Sequence, residues 1–151
     1  SSDLNSKRRI PIFFFGDFFT SREAQPLDVL DAATYIFDNF IEKEDIFIPG
    51  NHDKVFLDSQ RSYLDLFKHR CTLIRSYGHY TYRDTQISFV PYFKENGAYS
   101  EHFNSCITSA KQSKAKVRLL GTHIAVNGVK NNDGSEVENG VAGESFEFFD
   151  Q

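Results

Sequence analysis

Apolar residues in this chain fall into short dense runs separated by polar turns. Three runs have the look of buried strands: 10–15, ending Ile12-Phe13-Phe14-Phe15; Asp45-Ile46-Phe47-Ile48; and Val117-Arg118-Leu119-Leu120. Each is short, β-branched or aromatic, and bounded by Gly or Pro-Gly, which marks a strand ending in a tight turn. Between the first two, Leu30, Ala33, Phe37, Phe40 and Ile41 recur at helical spacing, predicting a helix from Leu27, just after Pro26, to about Lys43. Its aspartates come early and Lys43 late, as the helix dipole favours. Strand, helix, strand in this order predicts a right-handed crossover between parallel neighbours.

Further along, a short helix is predicted around Tyr63–Phe67. Thr72–Arg75, Tyr80–Arg83 and Gln86–Val90 read as short strands, with turns at Tyr77-Gly78 and Arg83-Asp84. Together they suggest a meander extending a second sheet. Phe103, Ile107 and Ala110 on one side of Tyr99–Ser113 predict a second helix. The tract 128–143 is rich in Gly, Asn, Asp, Glu and Ser, has little periodicity, and reads as a long loop.

The chemistry gathers where the three buried runs end. The first runs into Gly16-Asp17, the second into Pro49-Gly50-Asn51-His52-Asp53, the third into Gly121-Thr122-His123. Each delivers a metal-competent side chain directly or almost directly after a glycine. Ligands of open α/β sheets collect at the carboxyl ends of strands, so all three ends are expected to meet at one site. Singly, Gly-Asp or a lone His is an ordinary turn feature; jointly they are a specific pattern.

That pattern resembles the calcineurin-like metallophosphoesterases, whose strands end successively in Asp-x-His, Gly-Asp, Gly-Asn-His-Asp/Glu, Gly-His and Gly-His-x-His. The chain carries the middle three, as Gly16-Asp17, Gly50-Asn51-His52-Asp53 and His123. It shows no Asp-x-His upstream and no Gly-His-x-His downstream. Within the superfamily, Gly16-Asp17-Phe18-Phe19 with Arg22, and Phe89-Val90-Pro91-Tyr92 ahead of His123, are similar to SbcD-type DNA-repair nucleases of phage and bacteria.

The resemblance implies an α/β fold of two packed sheets flanked by helices (α-β-β-α), present incompletely as a single domain over residues 1–151. It also implies metal-dependent phosphodiester hydrolysis, most specifically a DNA exo- and endonuclease with a dinuclear metal centre. Asp17 would bridge two cations, Asn51 and His123 would serve one of them, His52 would meet the departing oxygen, and Asp53 would orient His52. The oxygen and nitrogen donors favour Mn²⁺, with Fe²⁺ or Zn²⁺ as alternatives. Arg22 is placed either on a substrate phosphate or in a pair with Glu23 or Asp28, and Lys94 either on a phosphate or at the plain surface. Implied partners are DNA, an SbcC-type ATPase subunit and a second copy of the chain. Two other readings stand beside this one: a small-molecule phosphoesterase acting on cyclic nucleotides or phosphomonoesters, and an inactive protein-binding scaffold.

Composition changes this picture in three ways. Sixteen Phe and 7 Tyr stand against no Trp and no Met. The lack of Met, with the two missing motifs, leads to the expectation of an internal piece of a larger metallophosphoesterase. A net charge of −4 gives no global basic field for nucleic acid, although bound cations would invert the local charge. Cys71 and Cys106 have no metal-ligand or redox spacing. Free thiols in a reducing cytosol are expected, with a disulfide left open. No run is long and apolar enough to span a membrane and no signal peptide is visible, so a cytoplasmic location is expected.

Overall fold

The computed structural model describes residues 10–94, 98–125, 130 and 133–136. The basic run 7–9, most of the 128–143 tract and the aromatic stretch 146–149 lie outside them. Among these described residues the architecture is mixed α/β, with two three-stranded sheets and two α-helices.

The first sheet is parallel and runs β1 (Phe13–Phe14), β2 (Ile46–Phe47), β3 (Thr72–Leu73). Phe13 stands opposite Ile46, and Ile46 opposite Thr72. Helix α1 (Leu27–Phe40) joins β1 to β2 and starts at Pro26, whose fixed φ suits a helix entry. It stops short of Lys43 because the chain turns through Glu42–Asp45. The buried Asp45 carboxylate accepts from the Glu42 N–H (2.9 Å) and the Ile12 N–H (2.7 Å). Lys43 meanwhile donates to the carbonyls of Lys68 and Cys71.

The second sheet is mixed, in the order β4 (Gly78–Tyr82), β5 (Thr85–Val90), β6 (Val117–Thr122). β4 and β5 form a hairpin turning at Arg83-Asp84. Helix α2 (Ala98–Gln112) then carries the chain to β6, which lies parallel to β5.

Two expectations are corrected. Thr72–Leu73 is not part of a meander. Its Thr72 and Ile74 N–H groups bond to the Asp45 and Phe47 carbonyls (2.8 and 2.9 Å), which puts β3 in the first sheet. Nor is the third motif strand buried as expected: β6 forms the edge of the second sheet next to β5, with Val117, Arg118 and Leu119 exposed.

Three apolar clusters hold these elements. In one, Phe37 of α1 stacks on Phe67 at 4.2 Å, beside Phe47 and Leu64. In another, Ile46 and Ile48 from the first sheet meet Phe89 of β5, with Phe13 packed on Phe89 and Tyr80. In the third, Tyr99, Phe103 and Cys106 of α2 pack on Val90. Period-two alternation explains the division along β2: Phe47 faces α1, while Ile46 and Ile48 face the second sheet. Both cysteines are free and buried, and burial pushes each thiol up to about 11.

Candidate functional site

The ends of β1, β2 and β6 converge even though they come from two sheets. At the end of β1 the backbone takes an unusual course, with φ of +94° at Gly16 and +56° at Asp17. Only glycine fits the first position. A Cβ there would lie 2.6 Å from His123 Nδ1 and 2.7 Å from the Gly50 Cα. Asp17 holds a left-handed conformation that short polar side chains tolerate, and strain of this kind concentrates at functional sites.

The turn after β2 is tied to this bend by two carboxylates. Asp17 Oδ1 accepts from the His52 N–H at 3.0 Å. Asp53, fully buried, accepts from the Gly50 N–H (2.8 Å) through Oδ2 and from the Phe19 N–H (2.9 Å) through Oδ1. Loss of solvent raises the Asp53 pKa above the ordinary carboxylate value; the Phe19 and Gly50 N–H groups oppose that shift, and nearby Asp17 adds to it.

From the other sheet, His123 reaches into the same place. Its Nδ1 lies 2.9 Å from the Phe15 carbonyl, which can only accept, so Nδ1 carries the proton. In the neutral ring Nε2 then presents a lone pair, 3.0 Å from the Asn51 side chain and 3.4 Å from Asp17 Oδ2.

Asn51 can meet these neighbours in two ways. With its nitrogen inward it donates to His123 Nε2 (3.0 Å) and Asp17 Oδ1 (3.2 Å), and its oxygen accepts from Arg22. With its oxygen inward, a carboxylate, an amide oxygen and an imidazole nitrogen all point lone pairs at one spot. That second arrangement is favourable only around a cation. Asp17, Asn51 and His123, grouped at sequence level as metal ligands, are therefore brought together. Among the described residues no three or more His, Cys, Asp or Glu side chains cluster as metal ligands, and the set here relies on the amide of Asn51.

His52 is also at this place, but it is not oriented by Asp53. Both Asp53 oxygens are engaged by backbone N–H groups, while His52 Nδ1 sits 2.5 Å from the Thr20 carbonyl. Asp53 instead clamps the turn to the segment after Asp17. His52 Nε2 faces the Arg22 guanidinium at 3.4 Å. Arg22 is thus directed at the site, and among the described residues no ion pair joins it to Glu23 or Asp28. Tyr63 helps to fix its backbone, lying 3.3 Å from the Arg22 and Glu23 carbonyls.

Lys94 is exposed after β5, and among the described residues no hydrogen bond or ion pair joins it to this group. His69 and His79 are exposed; His102 packs on Phe93 at 4.6 Å. Three participants had no signal in the sequence. The Thr20 and Phe15 carbonyls are backbone groups, which residue type does not reveal. Tyr92, edge-on to His123 at 6.3 Å, belonged to a stretch noted only for its likeness to a family. No protein-family model and no curated protein sequence matches the chain.

Proposed function

We propose that the protein is a metal-dependent phosphodiester hydrolase of the calcineurin-like metallophosphoesterase kind, acting on DNA in the manner of SbcD-type nucleases. One observation carries the reading: Asp17, Asn51 and His123 converge from three strand ends with His52 beside them. The order α1, first sheet, second sheet, α2, linked by three apolar clusters, supports the corresponding layered fold.

The donor set fits a divalent cation of the Mn²⁺ type, since it mixes carboxylate, amide oxygen and imidazole without thiolate. Asp17, Asn51 with its oxygen inward, and His123 Nε2 would hold one ion. A dinuclear centre needs ligands beyond these three. Such ions polarise phosphoryl oxygens and lower the pKa of bound water.

The remaining steps belong to the chain's own residues. The Phe15 carbonyl holds His123 in the tautomer with Nε2 free. The Thr20 carbonyl likewise keeps the His52 proton on Nδ1 and turns Nε2 toward the site, where it can exchange a proton with the departing oxygen. Arg22 supplies a planar fork of donors suited to phosphate oxygens. On this reading the partners are DNA ends, an SbcC-type ATPase subunit and a second copy. Among the described residues no helix is long and apolar enough to cross a membrane.

The net charge of −4 favours a second reading, a small-molecule phosphoesterase of the same fold. Mn²⁺-dependent digestion of end-labelled linear duplex DNA, with His52→Ala as control, separates the two. Degradation by the wild type that falls about 10²–10⁴-fold in the variant supports the nuclease. Hydrolysis of a small phosphodiester without DNA degradation supports the second reading. Neither activity, with no Mn²⁺ binding, leaves a scaffold.

A further inference from the structure

Directly after the Gly50–Asp53 turn stands Lys54, a lysine only 3% exposed. Buried lysines are rare unless paired, because an ammonium loses its hydration. Here Nζ donates to the Ser59 carbonyl at 3.1 Å and lies 5.1 Å from the centre of the Phe93 ring and 6.0 Å from that of Tyr92. The Lys54 backbone is pinned as well, by an antiparallel bridge to Ser62 flanked by bonds from the Tyr63 N–H to the Asp53 carbonyl (2.8 Å) and from the Val55 N–H to the Arg61 carbonyl (3.2 Å). An apolar side chain would fill the same space without the desolvation penalty.

Tyr92 connects this ammonium to the candidate site. Its N–H donates to the Pro49 carbonyl at 3.0 Å, which fastens the residue to the turn that carries Asn51 and His52. Its ring meets the His123 imidazole edge-on, at an interplanar angle of 77°. A line of contacts therefore runs from Lys54 through Tyr92 to His123, joining the first sheet's turn to the second sheet's histidine.

We propose that Lys54 is a positioning residue: its ammonium holds the Tyr92 ring against His123 and so fixes the direction in which His123 Nε2 points. The attraction of a cation for an aromatic face makes the ring's place depend on the charge, beyond simple packing. Burial lowers the Lys54 pKa and nearby Asp58 opposes that shift, so the ammonium is held in partly desolvated surroundings where such attraction is stronger. The effect on cation affinity rests on the function proposed above; the effect on the His123 ring does not.

The test compares Lys54→Met, which keeps length and removes charge, with Lys54→Arg, which keeps charge. Proton NMR without metal reads the Tyr92–His123 ring contact, through their nuclear Overhauser effects and the ring-current shift of His123. Titration with Mn²⁺ alone reads affinity. Lys54→Met is expected to lose the ring contact and to weaken Mn²⁺ binding about three- to tenfold, with Lys54→Arg restoring most of both. An unchanged ring contact in folded Lys54→Met overturns the proposal. Should that variant fail to fold, Lys54→Gln decides by the same ring contact: an unchanged Tyr92–His123 contact overturns the proposal, and its loss supports it. If the wild type binds no Mn²⁺ while Lys54→Met still loses the ring contact, the positioning role stands and the metal-dependent function falls.

Discussion

Placing one methyl group at Gly16 tests whether the site is as tightly closed as its distances imply. Gly16→Ala faces two penalties. The first is conformational: at φ of +94° an L-side chain is strained by about 1–2 kcal/mol. The second is steric. The new Cβ would lie 2.6 Å from His123 Nδ1, 2.7 Å from the Gly50 Cα and 2.8 Å from the Gly50 nitrogen, and two of these three are backbone atoms that cannot swing aside. Overpacking of this kind typically costs about 1–3 kcal/mol. Gly134 supplies the control, because its φ is +84° but nothing among the described residues lies within 4 Å of a Cβ built there. Gly134→Ala should lose the strain alone. Urea unfolding at constant m reads both. The expected losses are about 2–5 kcal/mol for Gly16→Ala and about 1–2 for Gly134→Ala. Equal losses would refute the reasoning, since they would mean that β1, the Gly50 turn and His123 are not in contact. The variant's His123 resonances should also shift, because the ring must move to admit the methyl.

Three other outcomes are expected. Both thiols, raised to about 11 by burial, should resist a disulfide reagent at pH 8 in the native state and yield two equivalents once unfolded. Asp53 has its pKa raised by the fold, so its contribution to stability is full below the unfolded carboxyl value and is lost as pH rises through the higher folded value; Asp53→Asn should flatten that step in a pH series of urea midpoints. Asp65 caps the short 3₁₀ helix Tyr63–Phe67 by accepting from the Ser62 N–H at 3.1 Å and pairs with Arg75, partly exposed to solvent; Asp65→Ala should lose about 1–3 kcal/mol by thermal or urea unfolding, while Asp65→Asn should retain part of the cap.

The strand ends and helices were legible in the sequence because their signals are local. Pro26, the apolar spacing through Phe37, and glycine after each apolar run act over a few residues, and the structure places elements there, although of the three runs only Ile46–Ile48 is fully buried. Sheet membership was not legible. The run Val117–Leu120 resembles Asp45–Ile48, and nothing in either states that one pairs with Gln86–Val90 and the other with Phe13–Phe14. Thr72–Leu73 was misassigned for the same reason, since its partner is fixed by backbone bonds to Asp45 and Phe47. At the site, residue type identified Asp17, Asn51, His52 and His123, which do converge. Roles carried by backbone carbonyls escaped notice: Thr20 and Phe15 set the two histidines, and Asp53 was left a structural clamp. Lys54 gave no sign of burial, because a lysine in a polar stretch looks like any other.

That the site is shared between two sheets has a consequence for how it assembles. His123 is separated from Asn51 by 72 residues and from Phe15 by 108. Contacts this distant close large loops, and topologies built on them form slowly. A partly folded chain with only its first sheet in place would hold Asp17 and Asn51 but lack the imidazole. Conversely, a ligand seated among all three would act as a staple across the seam, and hydrogen exchange at the β6 amides would slow as it bound. Occupancy of the site would then report the docking of one sheet on the other rather than the folding of either.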